Sequence, residues 1–129
     1  MKLLLDTHAL LWVLGEPGRF SAETLRTLAN THNAVFVSVV SLWEIALKRR
    51  IGKLDADIDA ITAQLSPASK IQLLGLHPRH LATLDRLPYH EQHRDPFDHL
   101  LIAQAIAEDM IFVTKDQNAP LYQARIMAP

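Results

Sequence analysis

Lys2-Leu3-Leu4-Leu5-Asp6-Thr7-His8-Ala9-Leu10-Leu11-Trp12 is the stretch on which the fold turns. Three consecutive leucines read as a strand buried on both faces, because a run without polar alternation has no solvent side. The run stops at Asp6. Thr7 to Leu14 then sets Leu10, Leu11, Val13 and Leu14 into a pattern that suits a short helix. A strand passing directly into a helix is the first half of a β-α unit, and it carries a carboxylate at its joint.

The same grammar repeats outward. Gly15-Glu16-Pro17-Gly18 is a turn, and Ser21 with Glu23 and Thr24 opens a helix through Ala29. Ala34 to Ser38 is rich in β-branched and aromatic residues and reads as a second strand. A helix is expected from Ser41 to the Arg50-Ile51-Gly52-Lys53 stop. Another is expected from Asp57 to Leu65, ended by Ser66-Pro67. Ile71 to Leu74 follows as a strand, then Pro78 to Leu84 as a helix and Tyr89 to Arg94 as a polar loop. Asp95 to Glu108 reads as a helix, Ile111 to Thr114 as a strand, and Ala124 to Met127 as a final short strand. Strands alternating with helices predict an α/β chain around a mainly parallel sheet. Length and the lack of any linker or repeat predict one domain over residues 1–129.

Composition narrows the function. Hydrophobic residues make up 49% and charged residues 21%, enough for a packed core. There is no cysteine, which excludes disulfides, zinc-thiolate sites and cysteine nucleophiles. The net charge of −1 argues against nucleic-acid binding by a broad basic surface. Contact with RNA or DNA would need a local patch and cations. No apolar run is long enough for a signal sequence or a membrane span, so the expectation is a cytoplasmic protein that engages no membrane.

Asp6, Glu44, Asp98 and Asp116 each lie at or near the end of a short apolar stretch, with Asp95 beside the third. Each has an ordinary local reading. Ser41-x-x-Glu44 has the form of a capping box, Asp95-Pro96-Phe97-Asp98 that of an N-cap with Pro at N1. Asp6 suits a cap and Asp116 a turn after its strand. Together they say more. In parallel α/β sheets, ligands bind beyond the carboxyl ends of the strands, where Asp6 and Asp116 fall. Several carboxylates in one pocket require cations to neutralise them. Capping and ligation are compatible, since a capping acid is held rigidly. Hard divalent ions then lead to phosphate chemistry, in which a metal-acidified water attacks and the ion supports the leaving oxygen.

Other features carry ordinary readings. His77-x-x-His80 and His90-x-x-His93 have ligand-like spacing, but without cysteine they read as solvated histidines. Asp55-x-Asp57-x-Asp59 imitates a calcium loop but places Ala60 and Ser66 where glycine and glutamate belong. Trp12 and Trp43 read as core or dimer packing. The apolar excess of Leu10, Leu11, Trp12 and Leu14 points to a partner surface. Lys48-Arg49-Arg50-x-x-Lys53 suits a helix C-terminus. Lys48, Arg50, Lys53, His93 and Arg94 are also candidates for contact with RNA or a protein partner.

Four ordered blocks resemble one family: Leu3-Leu4-Leu5-Asp6-Thr7-His8-Ala9-Leu10-Leu11-Trp12; Ser41-Leu42-Trp43-Glu44-Ile45; His93-Arg94-Asp95-Pro96-Phe97-Asp98 running into Leu101-Ile102-Ala103-Gln104-Ala105; and Val113-Thr114-Lys115-Asp116. They look like a PIN-domain protein, and more narrowly a VapC-type toxin of a bacterial toxin–antitoxin pair. The resemblance implies a three-layer α/β/α sandwich and a Mg2+- or Mn2+-dependent endoribonuclease. It also implies a homodimer and a small cognate antitoxin. It matches Asp6, Glu44, Asp98 and Asp116 to the family's catalytic and metal-binding acids, with Asp95 and Thr114 as auxiliary positions. The alternative reading is a protein-binding module whose acidic pocket captures a partner's arginine by bidentate bonding, without significant catalysis.

Overall fold

The computed structural model describes residues 1–66 and 68–129. Pro67, assigned from sequence to the stop after the fourth helix, lies outside the described residues. Among these residues five strands form one sheet: β1 Lys2–Leu5, β2 Ala34–Ser38, β3 Ile71–Leu74, β4 Ile111–Val113 and β5 Arg125–Met127. Their order is β3-β2-β1-β4-β5, and every neighbouring pair is parallel.

Among the described residues six α-helices join them: α1 Thr7–Gly15, α2 Ala22–Ala29, α3 Val39–Arg50, α4 Ile58–Ala63, α5 Pro78–Arg86 and α6 Pro96–Ala107. Successive side chains of β1 face opposite ways. Leu3 and Leu5 pack with Leu10 of α1, Leu28 of α2, Ile45 of α3 and Ile61 of α4. Leu4 packs on the other face with Phe112 and with Leu100, Leu101 and Ile102 of α6. This is the three-layer sandwich the resemblance implies. Leu3, Leu4 and Leu5 are all fully buried. At roughly 1.5–3 kcal/mol for each buried leucine, the central strand is anchored to both layers, and with it the joint at Asp6.

One boundary differs from the sequence reading in a way that matters. The helix after β2 begins at Val39, capped by Ser38, not at Ser41. Ser38 Oγ accepts from Val40 N at 3.0 Å and caps α3. Val39 and Val40, β-branched residues that continue the strand pattern, instead form its first turn. Ser41 is therefore the third helical residue, and Ser41-x-x-Glu44 is not a capping box. Glu44 stands in the second turn. Smaller differences trim α4 to Ile58–Ala63 and extend α5 to Arg86.

The apolar excess of the first helix is largely covered. Leu10 is buried, and Leu11, Trp12, Val13 and Leu14 pack half-buried against the core. Exposed apolar side chains on the helices include Leu81 of α5 and, on α3, Trp43 and Leu47 four residues apart, with Ile51 following at the C-cap. Among the described residues no helix is long and apolar enough to cross a membrane.

Candidate active site

The sheet changes direction of growth at β1. From it the chain adds β2 and β3 on one side, and later β4 and β5 on the other. The chain leaves the neighbouring strands β1 and β4 toward opposite sides, which opens a crevice at their carboxyl ends, the usual ligand position in such sheets. A cavity of about 450 Å³ opens at that point. Asp6, Glu44, Asp95, Asp98 and Asp116 line it, with Thr7, His8, Lys48, His93, Lys115, Gln117 and Asn118. A larger cavity of about 530 Å³ lies elsewhere, lined by Thr83, Arg86, Leu87, Pro88, Ile106, Leu121 and Gln123. It has no carboxylate in its lining, whereas the acids gather in the smaller one.

Each acid is fixed by its own element. Asp6 follows β1 and caps α1, accepting from Ala9 N at 2.7 Å through Oδ1 and from Thr114 Oγ1 at 2.7 Å through Oδ2. Thr114 also accepts from Asp116 N at 3.0 Å, and so orders the loop after β4. Asp116 in turn accepts from Asn118 N at 2.9 Å. Glu44 is buried. It accepts from Thr7 through Oε1 and from Lys48 Nζ at 2.7 Å through Oε2. Asp95 caps α6 through Phe97 N and Asp98 N, placing Asp98 in the helix's first turn.

The charges strain against one another. Burial holds the Asp6 carboxyl above its ordinary range, although the bonds from Ala9 and Thr114 pull the other way. Asp98 is pushed up to about 8, first by burial and then by the neighbouring charges of Asp95, Asp116 and Glu44. The bond to Glu44 raises Lys48. A cluster that resists ionisation this strongly is one that a divalent cation would relieve.

His93 is the largest departure from the sequence reading, which took it for a solvated histidine or a surface contact. It is 4% exposed. Its Nε2 lies 2.9 Å from Asp116 Oδ2 and 3.4 Å from Asp98 Oδ2, and its Nδ1 lies 2.9 Å from Tyr122 Oη. One donor atom from each of His93, Asp98 and Asp116 lies within 4.8 Å of the others. His80 is not solvated either. It is fully buried, with Nδ1 accepting from His77 N and Nε2 3.0 Å from Glu108.

The remaining candidates fall outside the cavity lining. Arg50 and Lys53 are exposed at the far end of α3 and just beyond it. Arg94 is exposed and bonds the backbone oxygen of Glu91. Sequence reasoning did not single out Thr7, Lys115 or Tyr122. Thr7 had a local signal, being next to Asp6. Tyr122 had none, since only the packing of the segment after β4 brings it behind His93. Trp43 is 58% exposed and stacks edge-on against Phe97, while Trp12 packs against Phe20 with Lys115 above its ring.

Comparison with known proteins bears on the family and the fold. The family model described as PIN domain matches residues 3–125. The curated protein Ribonuclease VapC22 of Mycobacterium tuberculosis is 28% identical over 116 residues, covering 90% of this chain and 88% of that protein. Solved structures with the same fold include VapBC2 from Rickettsia felis bound to a DNA fragment from its promoter. Its TM-score is 0.75 at 16% identity, covering 99% of this chain and 98% of that one. DNA-bound VapBC from Salmonella typhimurium gives 0.67 at 15% identity with the same coverage. VapBC-1 from nontypeable Haemophilus influenzae gives 0.69 at 13%, again with 99% and 98% covered.

Proposed function

This chain belongs to the PIN domain family, and on that premise we propose that it is a metal-dependent endoribonuclease acting in the cytoplasm as the toxin of a toxin–antitoxin pair. One observation carries the reading. Acids from four separate parts of the chain, Asp6, Glu44, Asp98 and Asp116, line one cavity at the carboxyl end of a parallel sheet. The likeness to a ribonuclease and to VapBC assemblies supports the same conclusion.

The donor set fits a hard divalent ion. Carboxylate oxygens dominate it, and the raised pKa of Asp98 records how poorly these charges coexist alone. Asp98, Asp116 and Asp6 would hold Mg2+ or Mn2+, which supplies acidification of a water molecule and neutralisation of phosphodiester charge. Glu44, fixed by Thr7 and Lys48, faces the cavity as an acceptor for the water's proton. Lys48 and Lys115 add positive charge at the rim, where an RNA phosphate would enter. Thr114 keeps Asp6 aimed, and Asp95 sets the start of α6.

The partners follow from the same reading: RNA as substrate, a small antitoxin as inhibitor and a second copy as dimer mate. The Lys48–Glu44 bond favours one detail of inhibition, because it presents a cationic side chain already docked on a site carboxylate. An antitoxin arginine entering the cavity would exploit the same attraction bidentately. The decisive experiment is cleavage of total RNA with Mg2+ or Mn2+, comparing wild type with Asp6→Asn and Asp98→Asn. Loss of cleavage in both variants supports the proposal; undiminished cleavage in both would falsify it. Nuclease-dead wild-type protein that still binds an antitoxin tightly would favour a binding module.

A further inference from the structure

We propose that His93 is a nitrogen donor to the cation of this site, and that it biases the site toward Mn2+ over Mg2+. The inference rests on the metal-dependent reading above.

The argument starts from where the ring sits. A buried imidazole is wedged between two carboxylates, with Nε2 2.9 Å from Asp116 Oδ2 and 3.4 Å from Asp98 Oδ2. Neighbouring ligands on an octahedral ion with bonds of about 2.1 Å stand about 3 Å apart. The spacing already present among these three donors is therefore that of adjacent coordination positions. Sites built for Mg2+ alone use oxygen, whereas imidazole suits later divalent ions and strengthens binding along the series from Mn2+ onward.

The ring is also held as metal-binding histidines are held, by a partner on the far nitrogen. Tyr122 Oη stands 2.9 Å from Nδ1. The backbone oxygen of His93 meets His99 Nε2 at 2.6 Å, and the His99 ring packs edge-on against that of His93. Without the cation, a hydrogen on Nε2 would face the carboxylates and Tyr122 would donate to Nδ1. With the cation, Nε2 must present its lone pair. It gives its proton to solvent while Nδ1 takes one up, and Tyr122 turns from donor to acceptor. No net proton is lost. A hydroxyl serves both tautomers, which a carbonyl or an ammonium could not.

The test is electron spin-echo spectroscopy of Mn2+ bound to the full chain, with Mn2+ and Mg2+ affinities by calorimetry. Wild type should show modulation from a directly bound 14N, changed to the 15N pattern when histidine is 15N-labelled. This arm needs no variant and does not depend on a mutant folding. His93→Gln should abolish the nitrogen signal and weaken Mn2+ at least tenfold while changing Mg2+ less than about threefold. Tyr122→Phe should keep the signal and weaken Mn2+ by roughly 10-fold or more. His8→Gln, altering the other histidine of the cavity, should keep the signal. Tight Mn2+ binding without nitrogen coupling, or with coupling lost in His8→Gln instead, overturns the role of His93 and leaves the nuclease reading standing. Failure of wild type to bind either ion, with cleavage independent of both, overturns the two together.

Discussion

Thr114 Oγ1 donates to Asp6 Oδ2 at 2.7 Å, joining residues 108 positions apart in the chain. The bond spans the carboxyl ends of β1 and β4, which lie side by side. The same hydroxyl accepts from Asp116 N. One threonine, the first residue after β4, thus couples two candidate metal ligands from opposite ends of the sequence.

Replacing Thr114 by valine keeps the shape and removes both bonds. Oδ2 of buried Asp6 loses its donor while Oδ1 keeps Ala9 N, a cost of about 1–3 kcal/mol at the site. The expected result is a 10- to 100-fold fall in RNA cleavage rate, measured at saturating Mg2+. Thr114→Ser, which restores the hydroxyl, should stay within about threefold of wild type.

Asp98 makes the metal-free protein sensitive to pH. Its folded pKa is about 8 against an ordinary value of 3.8, so between those values the folded state holds a proton that the unfolded state has lost. Stability without metal must therefore fall as pH rises from about 4 to 8. Urea unfolding in chelator at pH 5, 7 and 9 should show that decline. Mg2+ should reverse it at pH 9 and act weakly at pH 5, where protons compete. Asp98→Asn should flatten the profile, raise metal-free stability at high pH and abolish cleavage.

Glu108 has the opposite sign. Arg79, first, and then His80 hold its carboxyl down at about 2, against an ordinary 4.5. The stabilisation it gives is present above about 4.5 and is lost as pH falls toward 2. Acid unfolding monitored by circular dichroism should begin at higher pH in wild type than the Asp98 effect alone would give. Glu108→Gln should remove that component while leaving RNA cleavage at pH 7.5 near wild type, since Glu108 does not line the cavity.

Ser38 closes β2 and opens α3, the helix that carries Glu44. Its hydroxyl caps the helix and bonds buried Gln104 of α6. Ser38→Ala should cost about 1–3 kcal/mol, from the lost cap and from Gln104 left without its donor. Equilibrium urea unfolding would show this as a lower midpoint with an unchanged slope. A cost within error would mean that the network is replaced by solvent.

What the amino-acid order determined alone was local: alternating strands and helices, and carboxylates at the joints. Asp6 and Asp95 could be read because a cap and its helix are neighbours in the chain. The register of α3 was misread for the same reason. Ser41 suits a cap by its neighbours, whereas the structure caps α3 at Ser38, whose hydroxyl also bonds Gln104, 66 residues away. Only the tertiary structure set β1 beside β4, and so Asp6 beside Thr114 and Asp116. Only it turned His93 inward, because a loop histidine reads as polar until Tyr122, Asp98 and Asp116 surround it. Hydrogen bonds within a turn of helix are written in adjacent residues, whereas a cavity of like charges exists only once remote segments have been packed together, at an energetic cost that no stretch of sequence displays.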